Sequence, residues 1–234
     1  MLSRITPVED DAMSAQAQSA KTKYTAMSRR AALTAAALAA MAALAGCGGG
    51  STAAIDGDMA MGAPEGAKVT VIEYASVTCH VCADWQKEHW PAFKAAYVDT
   101  NKVRYVFREL PTGPVNVAVA GFMIARCAGD DKYFDVVHNI MASQGEWQAG
   151  VNPRDTLFRI GNGAGLSNQQ IEACIKNPEN IKAADARARA SMAADVEGTP
   201  TFLVNGVKIL SPGSASGPTM ADLSRAIEAE LAKG

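Results

Sequence analysis

The chain has 234 residues, of which 48% are hydrophobic and 20% charged, a composition typical of a globular protein with room for one domain and additional segments. Its formal net charge is −2, and no basic block stands outside the N-terminal segment. This balance argues against a nucleic-acid partner.

Residues 1–46 predict an export signal. Arg29 and Arg30 precede an apolar, alanine-rich run from residue 31 to residue 46. This run is shorter than the roughly 20 residues needed to span a bilayer, so it indicates a signal segment rather than a membrane anchor. The polar residues at the start are unusual for a signal, and Met27 is an alternative start of the chain.

The signal ends in Leu44-Ala45-Gly46-Cys47, which resembles the cleavage box of bacterial lipoproteins. In such proteins the cysteine becomes the lipid-modified first residue of the mature chain. The alternative is a plain signal peptide followed by an unrelated cysteine. We therefore expect a protein of the periplasm or cell envelope that is attached to the membrane through lipidated Cys47.

Residues 47–66 are rich in glycine, alanine and serine and predict a flexible tether. Ordered structure is expected to begin near Lys68, so that residues 67–234 form the folded domain. There, the β-branched run 69–74 predicts a buried strand. A helix is expected from Cys79 to about Val98, with a kink at Pro91. A second strand over 103–108 completes a β-α-β unit, whose two strands should be parallel.

Residues 113–196 carry helical periodicity and predict an all-helical block. The strand pattern returns at 201–204 and continues at 207–210, separated by Asn205-Gly206, a strong hairpin signal. An amphipathic helix over about 219–232 closes the chain. The predicted fold is therefore α/β with a mixed sheet, and the helical block is inserted between the β-α-β unit and the hairpin.

The motif Cys79-His80-Val81-Cys82 stands where the first strand gives way to the first helix. Unpaired N–H groups and the helix dipole favour an anion there, so a thiol at position 79 should lose its proton easily. A Cys-x-x-Cys pair can also close a disulfide between its own members. We expect a dithiol that cycles between reduced and oxidised forms; a static disulfide and half of a metal site are the alternatives.

Cys127 and Cys174 are the remaining pair of cysteines. In an exported protein an even number of cysteines favours a disulfide, and we expect Cys127–Cys174 to be a structural one. The alternative is two buried free thiols.

Three separate runs of the sequence carry a family resemblance. They are 71–79, which ends at Cys79; 103–108; and 198–206, which contains Gly198-Thr199-Pro200-Thr201. Together with the helical insertion, they resemble the DsbA-type thiol:disulfide oxidoreductases, which have a thioredoxin fold. The likeness covers the chain from about Lys68 to its end.

The resemblance implies a role for each matching residue. Cys79 would be the nucleophile and Cys82 the resolving thiol. Pro200 matches the family's cis-proline, and Thr199 would touch the thiols. Glu73 stands where the family places an acid beneath the dithiol, which can relay the proton of the resolving thiol; a strand-edge glutamate facing water is the alternative.

His80 departs from the best-known member of the family, which has Pro then His between its cysteines. An imidazolium at position 80 could stabilise the Cys79 thiolate. The resemblance further implies that no cofactor is needed, that reduced exported proteins are the substrates, and that a quinone-linked membrane protein of the DsbB type is the reoxidant. An isomerase or reductase of the same fold, and a metal-binding module built on Cys79, His80 and Cys82, are alternative functions.

Overall fold

The structure, a computed structural model, describes residues 54–233. Its elements are, in chain order, β1 (Met59–Gly62), β2 (Thr70–Ala75), α1 (His80–Phe93), a π-helical turn (Lys94–Val98), β3 (Arg104–Glu109), α2 (Val115–Cys127), α3 (Tyr133–Ala142), α4 (Gln144–Gln148), α5 (Pro153–Gly163), α6 (Asn168–Lys176), α7 (Pro178–Met192), β4 (Thr201–Val204), β5 (Val207–Lys208) and α8 (Met220–Ala232). The predicted α/β order, with a helical insertion before the hairpin, is confirmed. The predicted signal segment, residues 1–46, and Cys47 lie outside the described residues.

Within residues 54–233, five strands form one mixed sheet in the order β1-β3-β2-β4-β5. β2 and β3 are parallel, as the β-α-β unit predicts, whereas β4 is antiparallel to β2 and β5 is antiparallel to β4. Asn205 and Gly206 have φ angles of 46° and 83°, the positive values that a two-residue hairpin turn requires. The hairpin therefore forms where the sequence predicts it.

The two faces of the sheet pack against different layers, because successive side chains of a strand point to opposite sides. Val71 and Tyr105 belong to the large core shared with α1, α2, α3 and α8, and Glu73 lies on this same face. Ile72 and Val106 belong to a smaller cluster on the other face. The register thus places Glu73 on the face that α1 covers.

The helical insertion is joined to the sheet at Glu109, the last residue of β3. The Glu109 carboxylate accepts hydrogen bonds from Arg126 Nε at 2.6 Å, Arg187 Nε at 2.9 Å and Tyr133 OH at 3.0 Å. These three donors belong to α2, α7 and α3. Because Glu109 is buried, its two ion pairs offset the cost of removing the carboxylate from water.

Strand β1 corrects the predicted start of the folded domain. Met59–Gly62 lies inside the predicted tether, yet it pairs antiparallel with residues 104–107 of β3. Asp58, just before the strand, forms an ion pair with Arg108 at 2.9 Å. A strand of four residues carries little pattern of its own, and it is held here by the backbone groups at the edge of β3. The prediction of a tether up to residue 66 is wrong for this segment.

The first helix also differs in detail from the prediction. Regular α-helix ends at Phe93, and the π-helical turn Lys94–Val98 follows where a continuous, kinked helix was expected. Pro91 has no N–H to donate to the preceding turn, which weakens helical hydrogen bonding at this point. None of the helices described in residues 54–233 is long and apolar enough to cross a membrane.

The structure joins Cys127, at the end of α2, to Cys174, in α6, by a disulfide. The bridge lies within the insertion, and its cysteines are not among the residues of the Cys79–Cys82 motif. It closes a loop with a sequence separation of 47, for which the chain-entropy model gives about 4 kcal/mol of stabilisation.

Mild reduction that opens a Cys79–Cys82 disulfide is expected to leave Cys127–Cys174 intact. Mass mapping of the alkylated, non-reduced protein checks this.

Replacing both Cys127 and Cys174 with alanine should lower the free energy of unfolding by about 4 kcal/mol in urea titrations. Two alkylatable thiols at 127 and 174 in the native protein would contradict the assignment of a structural bridge.

Candidate active site

Cys79 is the N-cap residue of α1, at the junction with the loop that follows β2. Its Sγ accepts a hydrogen bond from the backbone N–H of Cys82 at 3.3 Å. Cys79 is partly exposed, whereas Cys82 is fully buried one turn into the helix, and both are free thiols in the structure. The motif therefore presents one sulfur at the surface and keeps the other inside.

The surroundings of Cys79 lower its pKa to about 6. The hydrogen bond from the Cys82 side chain is the largest cause. The Thr199 side chain and the backbone N–H groups of Cys82 and Val81 lower the pKa further, while burial acts in the opposite direction. Since the thiolate is the reactive form, Cys79 is mainly in its nucleophilic state at neutral pH.

The environment of Cys82 raises the pKa of its thiol, the opposite of the effect at Cys79. Burial raises the pKa of this thiol well above its usual value, and Cys79 and the charge of Glu73 raise it further. Cys82 is therefore protonated at neutral pH. Two identical side chains with pKa values moved in opposite directions can take different chemical roles, one attacking and one holding a proton.

The segment Thr199-Pro200 comes from 120 residues further along the chain and lies beside Cys79. The peptide bond between Thr199 and Pro200 is cis. In its protonated form, the Cys79 thiol donates to the backbone carbonyl oxygen of Thr199 across 3.4 Å. The structure thus brings together Cys79, Cys82, Thr199 and Pro200, four of the residues that the sequence singles out.

A loop that precedes α8 packs against Pro200. A Cβ atom on Gly217 would stand 2.9 Å from Pro200 Cγ, and Gly217 has a φ of +86°, so glycine suits this position for two reasons. The next residue, Pro218, accepts a hydrogen bond from Trp85 Nε1 of α1 at 2.8 Å. These contacts hold the Pro200 segment against the first helix. No local pattern predicts them, because Trp85 and Pro218 are 133 residues apart.

Glu73 is completely buried on the sheet face beneath α1. Its Oε2 accepts hydrogen bonds from Tyr105 OH and, at 3.3 Å, from Gln86 Nε2. Its Oε1 has no partner in the part of the chain that the structure describes. The alternative interpretation, a strand-edge glutamate facing water, is wrong.

Burial raises the pKa of Glu73 to about 8, although the hydrogen bonds from Tyr105 and Gln86 act against this shift. A negative charge on Cys79 raises the pKa further. Near neutral pH the carboxyl group therefore carries a proton, and a modest change in its surroundings can release that proton. A group in this state can exchange protons with a neighbouring thiol.

Gln144 is a further residue of the site, one that no sequence pattern predicts. It is the first residue of α4 and is buried, and its Nε2 donates to the carbonyl oxygens of Val77 at 2.8 Å and Cys79 at 3.1 Å. The helical insertion therefore contacts the backbone of Cys79 directly. Glutamine is common on helices, so its type and position alone give no signal of this contact.

His80 is exposed to solvent. The causes that lower the pKa of Cys79 come from Cys82, Thr199 and Val81, and His80 is not among them. His80 instead lines a groove between α1 and the end of α3 with α4. Among the residues that the structure describes, no group of three or more metal-ligating side chains is found.

A family model described as thioredoxin matches residues 54–229. The chain belongs to the thioredoxin family. Among curated relatives of this thioredoxin-family chain is a protein of Rickettsia conorii that is 35% identical over 155 residues, which cover 65% of this chain and 55% of the relative. Its name assigns it provisionally to the protein-disulfide oxidoreductases. The chain thus spans about half the length of the curated relatives it matches.

Two solved structures have a fold similar to that of this chain. α-DsbA1 of Wolbachia pipientis superposes with a TM-score of 0.66 at 22% identity, over 77% of this chain and 94% of that protein. BdbD of Bacillus subtilis gives a TM-score of 0.66 at 16% identity, over 79% of this chain and 96% of that protein. The thioredoxin-family chain described here therefore has the DsbA-like form of the thioredoxin fold.

Proposed function

We propose that the protein is a thiol:disulfide oxidoreductase of the bacterial cell envelope that introduces disulfides into exported proteins through Cys79 and Cys82. The observation that carries the proposal is the contrast between the two sulfurs. An accessible thiol with a pKa of about 6 lies one helical turn from a buried, protonated thiol. Relatives named as protein-disulfide oxidoreductases support the same class of reaction.

The exchange runs in two steps that balance in sulfurs and electrons. In the oxidised enzyme, a substrate thiolate attacks Cys79 Sγ, the Cys79–Cys82 bond breaks, and Cys82 leaves with the electron pair. A second thiolate of the substrate then attacks the substrate sulfur of the mixed disulfide and releases the Cys79 thiolate. The substrate has lost two electrons and gained a disulfide, and the enzyme holds two reduced cysteines.

Glu73 supplies the proton that this scheme needs inside the protein. Cys82 leaves as a thiolate in a buried place, where an unpaired charge is costly. Glu73 carries a proton near neutral pH, and the charge of its ionised form raises the pKa of Cys82, so it can protonate the leaving sulfur. Glu73 then regains a proton from solvent, because it is also protonated in the reduced enzyme near neutral pH. On reoxidation it first releases that proton, and its carboxylate then accepts the proton of Cys82.

The Thr199-Pro200 segment has two tasks in this scheme. Thr199 stabilises the Cys79 thiolate, which is the leaving group of the second step. Stabilising that leaving group favours release of the oxidised substrate, because a thiol of lower pKa leaves faster. Pro200 presents the Thr199 backbone beside Cys79, where an extended substrate chain can pair with it.

The remaining parts of the proposal concern the location and the electron acceptor. Export of the chain by the signal in residues 1–46 and lipidation at Cys47 would keep the enzyme at the envelope membrane. Reoxidation requires an acceptor of two electrons, and a quinone-linked membrane protein of the DsbB type fits that requirement. These statements rest on the sequence pattern and the family resemblance.

A redox titration of the Cys79–Cys82 pair against glutathione buffers tests the direction of electron flow. Stabilising the Cys79 thiolate stabilises the reduced enzyme and makes its disulfide a stronger oxidant. We expect a reduction potential above the value of about −270 mV that is typical of thioredoxin. A value at or below about −270 mV would contradict the role as an oxidant and favour the reductase alternative.

A further inference from the structure

A groove of about 630 Å³ lies between α1 and the helical insertion, and it includes neither Thr199 nor Pro200. One wall is the side of α1 that carries His80, Ala83 and Lys87. The other wall is formed by the end of α3 and by α4, with Ala142 and Gly145. We call it the insertion groove. Its volume lies within the range of about 300–1,000 Å³ that is common for ligand sites.

The insertion groove is continuous with the reactive motif. His80, which follows the nucleophile in sequence, is one of its lining residues, and so is Gln144. Gln144 donates to the carbonyl oxygen of Cys79 at 3.1 Å. A molecule in the groove therefore contacts His80, which is linked covalently to Cys79, and Gln144, which is hydrogen-bonded to Cys79.

The lining of the groove suits a polypeptide. It combines apolar groups from Ala83, Met141 and Ala142 with polar side chains such as Lys87 and Gln148. A peptide chain offers the matching chemistry, because its amide groups form hydrogen bonds and its apolar side chains bury apolar surface.

We infer that the insertion groove binds an extended segment of the reduced substrate polypeptide, next to the cysteine that reacts with Cys79; this inference rests on the proposed exchange function. In a mixed disulfide, the substrate chain leaves its cysteine in two directions. The Thr199-Pro200 segment lies beside Cys79 to receive one of these arms. The insertion groove, which starts at His80, receives the other.

Gly145 provides a way to fill the groove without disturbing its walls. A Cβ atom at this position would have no heavy atom within 4 Å, and Gly145 is exposed in α4. Gly163, at the end of α5, is equally open around its Cβ position but lines a separate cavity within the insertion. Gly145→Phe and Gly163→Phe are therefore a matched pair, one inside the insertion groove and one outside it. Ala142→Trp, at an exposed lining position, is a second way to occlude it.

The experiment compares two reductants of the oxidised, purified protein. One is dithiothreitol, and the other is a synthetic peptide in which two cysteines are separated by alanine, serine and valine residues. For each variant, the ratio of kcat/KM for the peptide to that for dithiothreitol is measured. We expect this ratio to fall about tenfold in Gly145→Phe and in Ala142→Trp and to stay at the wild-type value in Gly163→Phe.

An unchanged ratio in both groove variants would overturn the inference. This includes the case in which kcat/KM falls equally for peptide and dithiothreitol, because such a loss would come from an effect on Cys79 itself. A wild-type protein that oxidises neither reductant would instead refute the proposed exchange function. Thermal unfolding of each variant shows that the comparison is made between folded proteins.

Discussion

Replacing Cys79 with serine is expected to abolish thiol–disulfide exchange. Serine has nearly the same shape, but its hydroxyl is not ionised at neutral pH and cannot form the mixed disulfide. Cys79 is the accessible sulfur and has a pKa of about 6, whereas Cys82 is buried and protonated. The rate of peptide oxidation, followed by mass spectrometry of the peptide, should fall to that of the uncatalysed reaction.

The complementary variant, Cys82→Ala, is expected to retain the nucleophile and to accumulate mixed disulfides. In this variant the Cys79 thiolate attacks a disulfide of an oxidised substrate, forms a mixed disulfide and releases one substrate thiolate. Without Cys82 no internal thiol can then attack the bond between Cys79 and the substrate cysteine. Non-reducing gels and mass mapping should then find substrate attached at Cys79. Retained activity in Cys79→Ser, or substrate attached at Cys82 in that variant, would show that the roles of the two cysteines are assigned wrongly.

The variant Glu73→Gln is expected to abolish a loss of stability that the reduced wild-type protein shows as the pH rises. The pKa of Glu73 is raised from 4.5 to about 8 by burial, so between these pH values the native state retains a proton that the unfolded state has released. Stability therefore decreases through this window, by at most about 5 kcal/mol for a shift of this size. Glutamine does not titrate and removes this dependence.

The measurement is urea unfolding of the reduced proteins at pH 5, 7 and 9. Cys79 contributes in the opposite direction, because an acid with a lowered pKa adds stability as the pH rises, but it is present in both proteins and cancels in the comparison. Glu65→Gln, a change at an exposed glutamate, is the control and should follow the wild-type profile. Parallel pH profiles of wild type and Glu73→Gln would mean that the buried carboxyl group does not carry the proposed proton.

The parts of the fold that could be predicted from sequence are those with a local physical signal. Asn205-Gly206 specifies a turn because both residues accept positive φ angles, and the run 69–74 specifies a buried strand by its β-branched side chains. Cys79 is recognisable as the N-cap residue because the strand pattern stops and the helical pattern begins there. In each case a few neighbouring residues determine the structure.

The parts that could not be predicted depend on partners far along the chain. Strand β1 exists because the edge of β3 offers backbone partners 42 to 48 residues later, which four weakly patterned residues do not reveal. The contact of Gln144 with Cys79 spans 65 residues, and that of Trp85 with Pro218 spans 133. Side chains of this kind acquire their role only when packing has fixed the backbone atoms that they bind.

The hydrogen bonds of Gln144 bear on how far this protein can be reduced in size. Excising residues 113–196 to obtain a minimal redox module would leave the carbonyl groups of Val77 and Cys79 without their side-chain donor. The same excision would remove both arginines that neutralise Glu109 at the end of β3. A shortened protein would therefore need new donors at these two places before its dithiol could behave like that of the parent.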